Sequence, residues 1–335
     1  MDYIRFGSTG LKVSPLAFGM AFREQSDQAK ALKTVEAAID RGINFLDCAN
    51  TYGPTNDRSL GPGRSEQILA KAIKGKRDSL VITSKVEESV DSGPNDLGLS
   101  RYHILREVEN TLSRLGTDHI DIYLAHHSDP STSIEETVSA FDRLIQDGKI
   151  RYYGFCNFKA WQVATALWAA DRRGFEQAVC FQAPYNLIDR KLENEVFGLV
   201  RDQRLAVMAY SPLAVGLLTG VYSPDEPPPE DRLWGSKWRH RFEGQLDGRP
   251  GRILITIREI AAELGKTPAQ VSLAWVLSRD EISVAVVGCD DVEQVDENLG
   301  ALDCHLSEDQ LDRLNRFSDR FWLAKFCLFP NQNFV

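Results

Sequence analysis

Short apolar runs alternate along this chain with longer stretches in which apolar residues recur at helical spacing. The short runs, which predict strands, occupy 16–18, 43–47, 80–85, 120–126, 150–156, 179–182, 206–210 and 284–287. The 3.6-residue period predicts helices over 27–41, 64–74, 102–115, 134–146, 160–173, 191–203, 252–264 with 268–277, and 291–299. Strand followed by helix therefore recurs eight times. With no Gly-x-Gly-x-x-Gly after the first run, the pattern predicts an α/β protein built as a closed (β/α)8 TIM barrel rather than an open dinucleotide-binding sheet.

Three segments fall outside the repeat. Residues 3–14, with Gly7 and Thr9-Gly10 in the middle, predict a small N-terminal β-hairpin. A long loop follows the seventh strand over 211–251, rich in proline (Pro224, Pro227, Pro228, Pro229) and carrying Trp234 and Trp238; loops of that length act as lids or are disordered. The C-terminal tail, 321–335, is aromatic and apolar, as a segment packed on the barrel or on a second copy would be. One domain spanning 1–335 is expected, as a monomer or homodimer.

At 335 residues and 43% hydrophobic, the chain can bury a large core. Its formal charge of −9, with no basic stripe, argues against nucleic acid or an anionic membrane surface as partner, since nothing would gain from counterion release. The start, Met1-Asp2-Tyr3-Ile4-Arg5, has no apolar signal region, and no later run approaches the ~18 apolar residues of a spanning helix. A cytoplasmic protein acting on a small molecule is expected. Cys48, Cys156, Cys180, Cys289, Cys304 and Cys327 show no Cys-x-x-Cys or Cys/His spacing, which predicts reduced, mostly buried thiols and no metal site.

Chemistry enters at the strand ends. The run 43–47 stops at Asp47, with Tyr52 five residues on in a turn closed by Gly53 and Pro54; the next two runs end at Lys85 and at His126-His127. Working residues of such barrels stand at the carboxyl ends of strands, and neighbouring strands lie ~4.8 Å apart, so the four side chains can meet at one mouth. A lone strand-end lysine is usually just solvated; four such groups on successive strands make a site. The phenol's ordinary pKa of ~10 falls beside an ammonium, which Asp47 would hold charged, while His126 orients a carbonyl oxygen. A tyrosine so tuned is an acid for reducing a carbonyl or a base for oxidising an alcohol. The set contains neither nucleophile nor metal, so the hydride must come from a cofactor.

The chain resembles the aldo-keto reductase superfamily in Gly-Ile-Asn-Phe-Leu-Asp-x4-Tyr-Gly at 42–53, Gly-Arg-Ser-Glu at 63–66, Ile-Thr-Ser-Lys at 82–85 and Ile-Asp-Ile-Tyr-Leu-Ala-His at 120–126. The likeness runs from Gly7 to about residue 302. It implies Tyr52 as proton donor, Lys85 and Asp47 as its tuning pair, and His126 as the group that orients substrate. It also implies Asn157 and Gln182 on the nicotinamide carboxamide, Tyr210 beneath the ring, and Ser211, Pro212, Leu213 and Gly216 around the pyrophosphate. Gly19, Met20, Asp47, Gly288, Gln294 and Asn298 complete the implied cofactor site.

Departures from the family pattern sharpen the expectation. Cys156 stands where relatives carry serine, which weakens one nicotinamide hydrogen bond, and His127 stands where many carry tryptophan, which makes the pocket more polar. Asp290 and Asp291 occupy positions that in NADPH-using relatives contact the adenosine 2′-phosphate. Carboxylates repel that phosphate yet accept a hydrogen bond from a ribose 2′-hydroxyl, which implies NAD over NADP. Asp290 also reads as the N-cap of the last barrel helix, with Glu293 as its capping-box partner. An NAD site tilts the reaction toward alcohol oxidation. With Phe22, His127 and the lid residue Trp234 at the substrate, it points to a polar, hydroxylated compound such as an aldose. The competing readings are an NADPH-dependent aldehyde or ketone reductase and a cofactor-sensing regulatory subunit.

Overall fold

The chain opens with strand β1 (Ile4–Arg5), antiparallel to β2 (Lys12–Val13). This is the predicted hairpin, and it plugs one end of the barrel. Phe6 and Val13 are wholly buried against Ala17, Phe45 and Val284, with the Phe6 and Phe45 rings edge-on at 5.4 Å. Gly7, at φ +56°, lies so close to Ala206 that a Cβ would collide with its backbone. The computed structural model describes residues 1–54, 61–224, 226–242 and 244–318; the predicted tail 321–335 lies outside them.

Eight parallel strands then close into a barrel: β3 (Leu16–Gly19), β4 (Phe45–Asp47), β5 (Val81–Val86), β6 (Ile120–Ala125), β7 (Ile150–Cys156), β8 (Cys180–Pro184), β9 (Ala206–Tyr210) and β10 (Val284–Val287). Closure is made by β10, which pairs with both β9 and β3. The fold is the expected (β/α)8 barrel. Gly154 of β7 sits opposite Cys180 of β8, and a Cβ there would strike the Cys180 sulfur and carbonyl, so only glycine lets these strands approach.

The outer layer comprises α1 (Gln28–Asp40), α2 (Arg64–Ala72), α3 (Arg101–Leu115), α4 (Ile134–Gln146), α5 (Ala160–Arg173), α6 (Val196–Gln203), α7 (Arg239–Phe242), α8 (Arg249–Leu264), α9 (Pro268–Leu277), α10 (Val292–Leu299) and α11 (Glu308–Phe317). Side-chain caps start many of them, as where Asp27 accepts from the Ala29 and Lys30 amides. Among the described residues no helix is long and apolar enough to cross a membrane.

Three departures from the predicted elements have local causes. The helix expected over 191–203 begins only at Val196, because Glu193 is drawn back onto Arg190 (2.6 Å) and Tyr185 (2.6 Å), leaving a 3-10 turn. The cap of α10 is Asp291 rather than Asp290: the backbone of Asp291 is extended (φ −151°) and its carboxylate accepts from the Gln294 amide at 3.0 Å. The reciprocal partner is Gln294, not Glu293, since the Gln294 side chain accepts from the Asp290 amide at 2.9 Å. Finally, α11 was absent from the predicted elements although Ser307 and Gln310 form a capping box at its start.

Candidate active site

Parallel register brings the strand ends together. Asp47, the last residue of β4, pairs with Gly19 on one side and Thr83 on the other. Lys85 stands near the end of the next strand, wholly buried, and its ammonium donates to Asp47 Oδ2 (2.8 Å) and to the Cys48 carbonyl (2.9 Å). The second Asp47 oxygen accepts from Thr83 Oγ1 (2.5 Å) and Gln182 Nε2 (2.9 Å). A carboxylate held by three side-chain donors cannot swing away from the lysine.

Tyr52 sits in the turn after β4, its amide bonded to the Ala49 carbonyl and its own carbonyl accepting from Ser65. Lys85 Nζ lies 4.6 Å from the centre of the Tyr52 ring, and the phenol oxygen lies 3.2 Å from His126 Nε2. His126 follows β6 directly, with His127 stacked on it at 4.7 Å. A buried network behind these groups ties down both strand ends. Arg114 pairs with Glu66 and Glu107; Ser84, beside Lys85, donates to Glu66 (2.6 Å), and Asn50, two residues before Tyr52, donates to Glu107 (3.2 Å).

Burial pushes the Tyr52 phenol above its ordinary value, and the Lys85 ammonium pulls it back only in part. The net direction differs from the expected depression, because the phenol's desolvation outweighs one cation. Burial also opposes charge on Lys85, but the Asp47 carboxylate and Tyr52 more than offset it, so the lysine is held charged. The arrangement is a phenol that keeps its proton at neutral pH, beside a fixed ammonium positioned to stabilise the phenolate as it forms.

A cavity of about 680 Å³ opens at the tetrad, within the range of small-molecule sites. Its lining includes Gly19, Met20, Phe22, Asp47, Tyr52, His126 and His127, together with Asn157, Gln182, Tyr210, Ser211, Pro212, Leu213 and Gly216, and with Gly288, Asp290, Asp291, Gln294 and Asn298. Asn157 is fixed at φ +61°, donating to the His126 carbonyl (3.1 Å) and accepting from the Tyr210 hydroxyl (2.8 Å). Ser211, Ala214, Val215 and Gly216 all have positive φ, and the tight turn they make is closed by the Ala214 amide on the Ser211 carbonyl (2.9 Å) and the Gly216 amide on the Leu213 carbonyl (3.0 Å). At Gly19 a Cβ would press on Val286, so the cavity floor there is bare backbone. These residues fit an extended dinucleotide.

Asp290 has both backbone groups occupied, its amide by Gln294 and its carbonyl by Gln25 (2.6 Å), while its half-buried side chain lines the cavity. Burial, with the Glu24 and Asp291 carboxylates adding to it, pushes Asp290 up to about 6. Lys30, the nearby ammonium, pairs with Asp291 at 3.5 Å.

Two predicted site residues lie elsewhere. Cys156 is buried beneath the cavity and donates to Gln182 Oε1 at 3.4 Å, so it supports the amide instead of facing a ligand. Trp234 is buried within the lid, where its indole N–H donates to the Val215 carbonyl at 2.8 Å and its ring meets Trp238 edge-on; the sugar-stacking argument therefore falls. The lid folds over the cavity through its neighbours: Arg232 and Leu233 line the wall, and the Leu233 amide donates to Glu24 at 2.7 Å. Sequence reasoning also missed Glu88 and Thr51 on the wall, where Arg23 of the first loop stands as well. Only Glu88 carried a signal, three residues beyond Lys85 on the same strand end.

Comparison with known proteins agrees with this architecture. A model described as the aldo/keto reductase family matches residues 15–319. The "Uncharacterized oxidoreductase YrpG" of Bacillus subtilis (strain 168) is 36% identical, covering 94% of this chain and 95% of its own. A "Probable voltage-gated potassium channel subunit beta" of Arabidopsis thaliana is 35% identical over 90% and 92%. The "L-glyceraldehyde 3-phosphate reductase" of Escherichia coli (strain K12) is 28% identical over 96% of each. The chain belongs to the aldo/keto reductase family, whose members are oxidoreductases that use nicotinamide cofactors.

Proposed function

We propose that this enzyme moves a hydride between NAD(H) and a small polyhydroxylated alcohol or its carbonyl form, an aldose or close relative, running toward oxidation. The observation that carries the reading is the unbroken contact series Asp47–Lys85–Tyr52–His126, at 2.8, 4.6 and 3.2 Å. Such a series can exchange a proton with a substrate oxygen while the ammonium stabilises the phenolate. The nicotinamide, when bound, supplies or accepts the hydride. Asn157 and Gln182 would orient its carboxamide, and Tyr210 would lie against its ring.

The preference for NAD rests on Asp290 and Asp291. A carboxylate lining the adenosine end disfavours a 2′-phosphate, and the Lys30 ammonium beside it pairs with Asp291 at 3.5 Å. The polar character of the substrate rests on Thr51, Glu88, His127 and Arg23, which share the wall with Phe22. Cells hold NAD largely oxidised, which sets the direction.

Absorbance of NADH formed from a panel of sugars and aromatic alcohols tests this reading. Tyr52→Phe should lower kcat by about 100- to 10,000-fold with cofactor affinity unchanged. Hydride transfer that survives this change would sink the proposed chemistry, and a clear preference for NADP would sink the cofactor choice alone. The named channel-subunit relative raises the reading of a cofactor-sensing subunit; biological function intact in Tyr52→Phe would favour it.

A further inference from the structure

We infer that Glu88 acts through His126 as the outer member of a proton path, Tyr52–His126–Glu88, which makes the tyrosine a base for alcohol oxidation. The inference rests on the hydride-transfer reading above and gives Glu88 a role in proton transfer beyond its place on the polar wall.

Two carboxylates at the end of β5 face two stacked imidazoles. Glu87 takes φ +136°, a backbone state that L-residues rarely adopt, and its carbonyl accepts from the Gly98 amide at 2.7 Å. With the chain turned in this way, the Glu87 carboxylate lies 3.1 Å from His127 Nδ1, and the Glu88 carboxylate lies 3.7 Å from His126 Nδ1. The other His126 nitrogen, Nε2, lies 3.2 Å from the Tyr52 hydroxyl. A nitrogen that faces a carboxylate carries the proton, so Nε2 presents its lone pair to the phenol. At 3.7 Å the two groups stand at ion-pair distance, where the carboxylate acts on the imidazole by charge.

The groups around His126 set its charge balance. Glu88 faces it from the end of β5, Tyr52 from the turn after β4 with Lys85 and Asp47 behind, and His127 lies alongside, paired with Glu87. Exposure rises outward, from a His126 side chain 4% exposed to a Glu88 side chain 20% exposed on the cavity wall, so the path leads toward water.

A need for this path follows from the phenol itself, which burial holds above its ordinary value despite Lys85. In oxidation, the substrate O–H proton passes to the Tyr52 oxygen as the Tyr52 proton passes to His126 Nε2. With a nicotinamide bound to accept it, the hydride would leave the substrate C–H bond with its electron pair as the C=O bond forms. Glu88 stabilises the resulting imidazolium, much as a carboxylate does behind a catalytic histidine. After product leaves, the imidazolium passes its Nδ1 proton to Glu88 and on to water, and exchange of the Nε2 proton for one at Nδ1 restores the starting tautomer.

Glu88→Gln and Glu88→Asp in the full chain test the assignment by two readouts. In the NAD-loaded enzyme, Glu88→Gln should lower the oxidation kcat at pH 7 about tenfold and move the acid limb of its pH profile about one unit lower. In cofactor-free protein, NMR of 15N-histidine should report the Nδ1-protonated tautomer for His126 and a titration midpoint that falls by about one unit in Glu88→Gln. Glu88→Asp, which keeps the charge, should leave both close to the parent values. Unchanged limb and midpoint in Glu88→Gln would overturn the inference and leave the proposed function standing. An equal shift in Glu88→Asp would trace the effect to packing and also overturn it. Glu88, His126 and His127 offer ligand atoms within 4.8 Å of one another, so activity lost to a chelator and restored by zinc would assign them to a metal instead. A parent enzyme that transfers no hydride would remove the underlying reading itself.

Discussion

Replacing Lys85 with methionine separates the electrostatic role of the ammonium from its structural one. The cation stands 4.6 Å from the centre of the ring that gains phenolate character while its proton is in transfer. At an effective dielectric of ~20, Coulomb's law over that distance gives about 3.6 kcal/mol of phenolate stabilisation. Losing it slows the proton-transfer step about 400-fold. The same change leaves Asp47 in the core with Thr83 and Gln182 as its remaining side-chain donors, and an orphaned buried charge costs about 3–5 kcal/mol of stability. The double variant Lys85→Met with Asp47→Asn removes both charges, so it should recover most of the stability and none of the activity. Urea unfolding and the initial rate of NADH formation measure the two quantities independently. A Lys85→Met enzyme within tenfold of the parent kcat would refute the argument that the ammonium stabilises the transferring phenolate. Recovery of activity in the double variant would refute it equally.

Further outcomes follow from charges elsewhere in the barrel. Asp290 stands at about 6, so its charge is lost as pH falls through that value; NADP(H) should bind more tightly at pH 5.5 than at 7.5, by quenching of intrinsic fluorescence, while NAD(H) changes little. Asp290→Asn should abolish the difference and raise NADP affinity at neutral pH by about tenfold or more. Because the folded value exceeds the unfolded one, the folded state holds the extra proton between about pH 4 and 6, and this group's contribution to stability falls as pH rises through that window. In Asp290→Asn the corresponding slope in unfolding midpoint against pH should flatten. Arg114→Met strands the Glu66 and Glu107 carboxylates in the core and should cost about 3–5 kcal/mol in urea unfolding, lowering kcat only as far as the Tyr52 turn and Lys85 strand loosen.

Much of the barrel and its chemistry was legible in the chain because it is encoded by local pattern. Strand and helix periods are properties of ten or fifteen neighbouring residues, and the eight alternations that they mark admit one closed parallel arrangement. Asp47, Lys85 and His126 could be placed at a common mouth because each terminates, or nearly terminates, an apolar run, and parallel strands align their carboxyl ends. Other features depend on contacts between residues far apart in sequence, on which periodicity is silent. The long loop's composition could not say that Trp234 turns inward to the Val215 carbonyl while Arg232 and Leu233 face the cavity. Nor could adjacent aspartates reveal which one caps α10, since that is decided by the backbone angle of Asp291. The sign of the shift on Tyr52 was invisible for the same reason: a cation nearby can be guessed from strand order, but the desolvation that outweighs it exists only once the fold has closed over the phenol.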